Sequence, residues 1–194
     1  MNVIQYLKNT WGSIPNEVQT FLKRALFIFI IWKLIYHLFL FQGRIIDAPL
    51  THFSGAGAEW LLQRFYPQSM LTIQEVCNPI PELNNEIGCM DYVSLNGKKI
   101  VGIADGCNAL ELYILYVGFL IAFSGPIKKI IIFSVAGIVI IYAVNISRLA
   151  ALAVMNMYHF NAANIAHHYI FKVVVYAVIF GIWVIYVKQK MQHE

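Results

Sequence analysis

Four apolar stretches, residues 25–41, 107–123, 130–155 and 166–187, dominate this sequence. Each approaches the roughly 20 helical residues needed to cross a hydrocarbon layer of ~30 Å. The chain as a whole is 59% hydrophobic and only 12% charged, where soluble domains average roughly 45–50% and about 25%. So few charges cannot cover so much apolar surface in water, and lipid is the solvent that fits. The balance excludes a disordered chain and argues against a soluble globule. The expected fold is an all-α integral membrane bundle of about four transmembrane helices.

Charge placement orients such a bundle. Lys23 and Arg24 precede the first stretch, Lys128 and Lys129 follow the Ser124-Gly125-Pro126 turn, and Lys188 and Lys190 follow the last. By the positive-inside rule these three clusters are cytoplasmic, which places both chain ends on the cytoplasmic side. Segment 42–106 carries seven acidic and four basic residues, and segment 156–165 has no Lys or Arg, so both are expected outside. Residues 1–24 read as a cytoplasmic or interfacial segment, with no cleavable signal before the first span. Within 42–106, residues 47–65 read as a helix lying on the membrane surface. The runs LTIQEV, MDYVSL and KKIVGIA, the last behind Asn96-Gly97, read as strands and a hairpin. The expectation is a small α+β lobe over the mouths of the spans, with residues 107–194 carrying the chemistry.

Ionisable groups inside a span are costly, so each is a functional candidate. Counting 1.5 Å per residue from the cytoplasmic clusters puts Cys107, Arg148 and the pair His167-His168 at one level, the outer edge of the bilayer. A thiol becomes a nucleophile as its thiolate, which a neighbouring cation or histidine favours. Histidine carries protons, and arginine offers fixed donors to an oxyanion. Cys107 then reads as nucleophile, His167 as acid/base partner and Arg148 as stabiliser, a set suited to acyl transfer through a thioester. Each residue alone has a plainer reading: a buried thiol, a snorkelling arginine, an interfacial histidine. Glu111, one turn from Cys107, reads as a structural partner of Lys172 or Arg148, and Lys33 and His37 share a helix face. His52 and His159 read as isolated loop residues. The adjacent His167 and His168 cannot share one helix face, so no metal site is expected, and nothing calls for a cofactor or a nucleic acid. Cys77 and Cys89 sit twelve apart in an exported lobe, where a disulfide is permitted. Cys107 would then be the odd thiol.

The run ADGCNAL (residues 104–110), the NISR run (145–148) late in the next span and HHYIFKVVVY (167–176) opening the last resemble the exosortase/archaeosortase family. The resemblance covers roughly half the chain, from about residue 98 onward, and is nearest to the short forms of Bacteroidetes-type bacteria. It implies a membrane-embedded cysteine transpeptidase or peptidase. Such an enzyme recognises a C-terminal signal made of a short motif, a transmembrane helix and a basic tail, cuts at the outer face, and passes the protein to a surface acceptor. By position the family's residues fall on Cys107, Arg148 and His167, with His168 as the alternative to His167; Asn108, Asn145 and Glu111 are supporting candidates. Many members follow the cysteine with Ser-Gly or Ala-Gly where this chain has Asn108-Ala109, and larger members have about eight spans. The competing reading is a non-catalytic membrane subunit of a surface polysaccharide or secretion assembly, in which Arg148 and Glu111 merely pair.

Overall fold

A computed structural model of the chain describes residue 12 and residues 14–41, 43–80, 86–160 and 163–191. The described residues form five long helices and one antiparallel sheet. Helix α1 (Asn16–Ile35) runs into a π-helical turn (Tyr36–Leu40), and α2 (Asp47–Phe65) leads to strands β1 (Leu71–Ile80), β2 (Glu86–Leu95) and β3 (Lys98–Ala104). A single 3₁₀ turn (Asp105–Cys107) feeds α3 (Leu110–Phe123) and then α4 (Ile127–Met157). A short helix (Ala163–Ile165) and a second π-helical turn (Ala166–Ile170) open α5 (Phe171–Met191).

Among the described residues two helices, not four, are long and apolar enough to cross a membrane: α4 over its whole length and α5 over Phe171–Gln189. The expected four-span bundle is corrected accordingly. Helix α3 has 14 residues, a rise of ~21 Å at 1.5 Å per residue, short of the ~30 Å layer. Residues 107–109 are taken by the 3₁₀ turn and by Ala109, whose φ is 65°, and Ser124-Gly125-Pro126 ends the helix at the other side. Helix α1 has the length, but any bilayer-length stretch of it contains Lys23, Arg24 and Lys33, and charges in hydrocarbon are expensive.

The basic clusters nevertheless gather at one end. The Arg24 guanidinium donates to the Ser124 hydroxyl, and Lys129 Nζ lies 5.6 Å from the centre of the Tyr186 ring, two residues before Lys188. Helix α1 packs antiparallel on α3, with Phe21 edge-on to Phe119 at 5.3 Å at one end and Lys33 paired with Glu111 at 2.7 Å at the other.

Two apolar clusters share α4 as their spine. Tyr113, Tyr116 and Leu120 of α3 pack with Ile141 of α4 and with Ile179 and Tyr186 of α5. Ala58 and Leu62 of α2 pack with Val93, Ile100 and Ile103 of the sheet and with Leu149, Leu152 and Ala153 of α4. The buried positions 137, 141, 145, 148 and 152 of α4 form one stripe at helical spacing. Its third and fourth members, Asn145 and Arg148, are polar and fall between the clusters.

Helix α2 has the expected bounds but is sandwiched between the sheet and α4 rather than laid on a surface. Gly57 makes the close approach, since a Cβ there would collide with the Tyr142 hydroxyl and Ile146 of α4. The hairpin signal is realised: Asn96 and Gly97, with φ of 50° and 80°, join β2 to β3 with Leu95 opposite Lys98, the two-residue turn that matches strand twist.

Cys77 and Cys89 are cross-strand partners and form a disulfide that closes a separation of 12 residues. Cross-linking a loop of that size stabilises by about 3 kcal/mol in the chain-entropy view. The Cys77→Ser variant is therefore expected to lower the unfolding temperature of the lobe, followed by circular dichroism in the strand region. An unchanged transition would mean that contacts with α2 alone hold the sheet.

Candidate functional site

The segment 105–109 crosses from the sheet to α3 at the junction of the two clusters, and the Asp105 carboxylate, the Cys107 carbonyl and the Asn108 side chain are held from outside the segment. The Asp105 carboxylate accepts from Arg44 Nε at 2.6 Å and Nη2 at 2.8 Å, and from Thr51 Oγ1 at 2.8 Å. The forked guanidinium matches both carboxylate oxygens, a geometry that lysine cannot supply. Hydrogen bonding to Asp105 is the main cause that raises the Arg44 pKa further above its already high ordinary value, and Glu75, bonded at 2.7 Å, adds to it. The Cys107 carbonyl accepts from Asn145 Nδ2 at 3.0 Å. Asn108, almost wholly buried, donates to Asp47 Oδ1 at 2.8 Å and accepts from the Leu110 N–H at 2.9 Å, which satisfies one donor at the start of α3. Asp47, also buried, accepts a second hydrogen bond from the Tyr36 hydroxyl at 2.8 Å.

These partners come from the first turns of α2 and from the turn before it. Asp47 and Thr51 are one helical turn apart and share a face. The π-helical turn at Tyr36–Leu40 fits an extra residue into the helix and so re-aims Tyr36 toward Asp47. Ala109 closes the segment in the left-handed region that favours glycine, a strained position of the kind held in place only by its surroundings.

Cys107 itself is half-buried with a free thiol, packed against the cluster of Leu149 and Leu152. Arg148 is buried one turn beyond Asn145, and its Nη2 lies 3.5 Å from His167 Nδ1. Arginine has only donors, so in this contact Nδ1 is the acceptor. The second π-helical turn, Ala166–Ile170, carries His167.

The structure thus brings Arg148 to His167, and the Cys107 backbone to Asn145, while the Cys107 thiol makes no hydrogen bond among the described residues. Glu111 pairs with Lys33 on α1 rather than with Lys172 or Arg148, and both members of that pair are well exposed. The premise of an Arg148–Glu111 pair is therefore corrected. His37 stacks on Phe41, and His52 lies in α2, where Nδ1 is 3.0 Å from Asp91 Oδ2. The His168 side chain and residues 1–11, part of the expected interfacial segment, lie outside the described residues. Glu75 lies beside Cys77 and Cys89, but both sulfurs are already bonded to each other.

Sequence reading missed Tyr36, Arg44, Asp47, Thr51 and Asp105. The available signal was Asp47 and Thr51 at i, i+4 inside an otherwise small and apolar helix face, and Asp105 two residues before the cysteine. No protein-family model matches the chain, and neither a curated protein nor a solved structure matches it.

Proposed function

We propose that this protein is a membrane-embedded cysteine transpeptidase or peptidase of the exosortase/archaeosortase kind, acting on the C-terminal signals of exported proteins. The observation that carries the reading is a single stripe of α4 that meets both partners: Asn145 holds the carbonyl of Cys107, and Arg148, three residues on, holds His167. The left-handed conformation of Ala109 adds support, because many members of that family place glycine two residues after the cysteine. In this reading α4 and α5 cross the bacterial cytoplasmic membrane with Lys128, Lys129 and Lys188 on the cytoplasmic side, and the site faces the periplasm.

The chemistry runs in two balanced steps. His167 Nδ1 takes the thiol proton as Arg148 turns from the ring to the carbonyl oxygen of the scissile peptide. The thiolate attacks the carbonyl carbon, Arg148 holds the oxyanion, and His167 returns the proton to the departing amine, which leaves a thioester on Cys107. An amine of the surface acceptor, or water, then attacks the thioester; His167 takes its proton, and the thiolate departs and is reprotonated.

Removing the gene from its host tests this reading. Mass spectrometry of envelope proteins is expected to find intact C-terminal segments, each a short motif, an apolar helix and a basic tail, that are absent when the gene is present. Identical C-termini in both strains would overturn the proposal.

A further inference from the structure

A partly open cavity of about 740 Å³ lies between α1, α3 and α5. Its walls are apolar along most of their length, and one end is polar, lined by Asp47, Asp105, Glu111, Lys33, Arg148 and Lys172. At the other end three aromatic rings close it: Phe21 meets Phe119 at 5.3 Å, and Phe119 stacks on Trp183 at 4.1 Å.

Length identifies the occupant. From Lys172 at the polar end to Trp183 at the closed end, α5 rises ~16 Å at 1.5 Å per residue. That is about half of the ~30 Å hydrocarbon layer, the depth of one leaflet. A transmembrane helix would need a groove of twice that length and no aromatic stop. A single acyl chain fits.

Charge identifies the headgroup. Each acid at the polar end is already engaged: Asp105 by Arg44 and Thr51, Asp47 by Tyr36 and Asn108, and Glu111 by Lys33. Two cations are not so engaged. Arg148, nine-tenths buried, has an Nε with no hydrogen-bond partner among the described residues, and Lys172 makes no ion pair among them. A buried donor without a partner is costly, and a negatively charged group at the mouth would satisfy it.

We propose that this slot binds one phospholipid of the outer leaflet, with an acyl chain along α3 and α5 and its anionic headgroup on Arg148 and Lys172. The proposal rests on the membrane placement of α4 and α5 given above. It shares Arg148 with the transpeptidase site but does not depend on the chemistry of Cys107.

Native mass spectrometry of the full chain in detergent, titrated with phosphatidylglycerol, phosphatidylcholine or inorganic phosphate, tests it. The wild-type chain is expected to retain one phosphatidylglycerol in preference to phosphatidylcholine. Lys172→Gln, an exposed change that leaves the helices intact, is expected to weaken retention about five-fold, the worth of one lysine at an anionic lipid surface. Ala25→Phe, which fills the slot from α1 without touching a charge, is expected to abolish it. Cys107→Ala is expected to bind as wild type, so a failed transpeptidase reading leaves the lipid result standing. Equal retention by wild type and Lys172→Gln, or equal retention of the two lipids, would overturn the proposal. Displacement by inorganic phosphate would identify a free-phosphate site instead and would also overturn it.

Discussion

Cys107→Ser is expected to fold as the wild type does and to lose substrate processing by a factor of about 10⁴ or more, the usual consequence of removing a nucleophile. The fold should tolerate the change because the thiol makes no hydrogen bond among the described residues, and the segment is held by its backbone carbonyl and its neighbours. Serine is close in size, but its hydroxyl is far less acidic than a thiol and does not supply the thiolate on which the proposed attack depends. Two readouts separate chemistry from folding. The unfolding temperature in detergent should stay within a degree or two of wild type, since an isosteric change at a half-buried site costs little. Labelling with a membrane-impermeant maleimide should disappear altogether, because Cys77 and Cys89 are joined and Cys107 is the free thiol. Undiminished processing by Cys107→Ser would remove Cys107 from the mechanism and the transpeptidase reading with it.

The second large effect concerns stability. Asp47→Ala is expected to cost about 1–3 kcal/mol, because it removes the best acceptor of the buried Asn108 amide and the acceptor of the half-buried Tyr36 hydroxyl. The variant should unfold at lower denaturant concentration. The cysteine segment should also loosen, which would show as faster maleimide labelling of Cys107 under native conditions. Asp47→Asn keeps one acceptor oxygen and should recover part of the loss. Glu111→Ala provides the contrast: its ion pair with Lys33 is exposed on both sides, and pairs of that kind contribute at most about 1 kcal/mol. Equal stability of Asp47→Ala and Glu111→Ala would show that the buried network does not hold the segment.

Much of the lobe was legible because its signals are local. The bounds of α2 follow from its composition, and the Asn96-Gly97 turn follows from two residues that tolerate positive φ. The spacing of Cys77 and Cys89 only permitted a disulfide, and the strand register that puts them opposite each other decides it. The number of spans was not legible from apolarity alone. Residues 107–109 look like the top of a helix, yet Asn108 spends its side chain on Asp47 and on the Leu110 N–H, and Ala109 turns left-handed, so α3 starts late and ends short.

The candidate site divides along the same line. Position along an apolar helix is a sequence property, so simple counting could place Arg148 along α4, but the same counting put Cys107 at the top of a helix that begins only at Leu110. Which side chain meets which partner depends on rotation about each helix axis and on elements far away in the chain. Glu111 could face α1, α4 or α5, and the packing of α1 on α3 gave it to Lys33. Asp47 and Thr51 lie more than fifty residues before Asn108, and only the close approach of α2 to α4 at Gly57 brings them to the cysteine segment.

The sequence by itself therefore determined what is local or additive: the apolar excess, the helix over 47–65, the strands with their Asn96-Gly97 turn, and the position of each charged residue along α4 and α5. Tertiary structure alone decided the span count, the partners of Glu111 and Arg148, and the network that clamps residues 105–109. The physical reason is that periodicity fixes where a side chain lies along an element, whereas hydrogen bonds and ion pairs are made across elements, where burial selects one partner from several that the sequence allows.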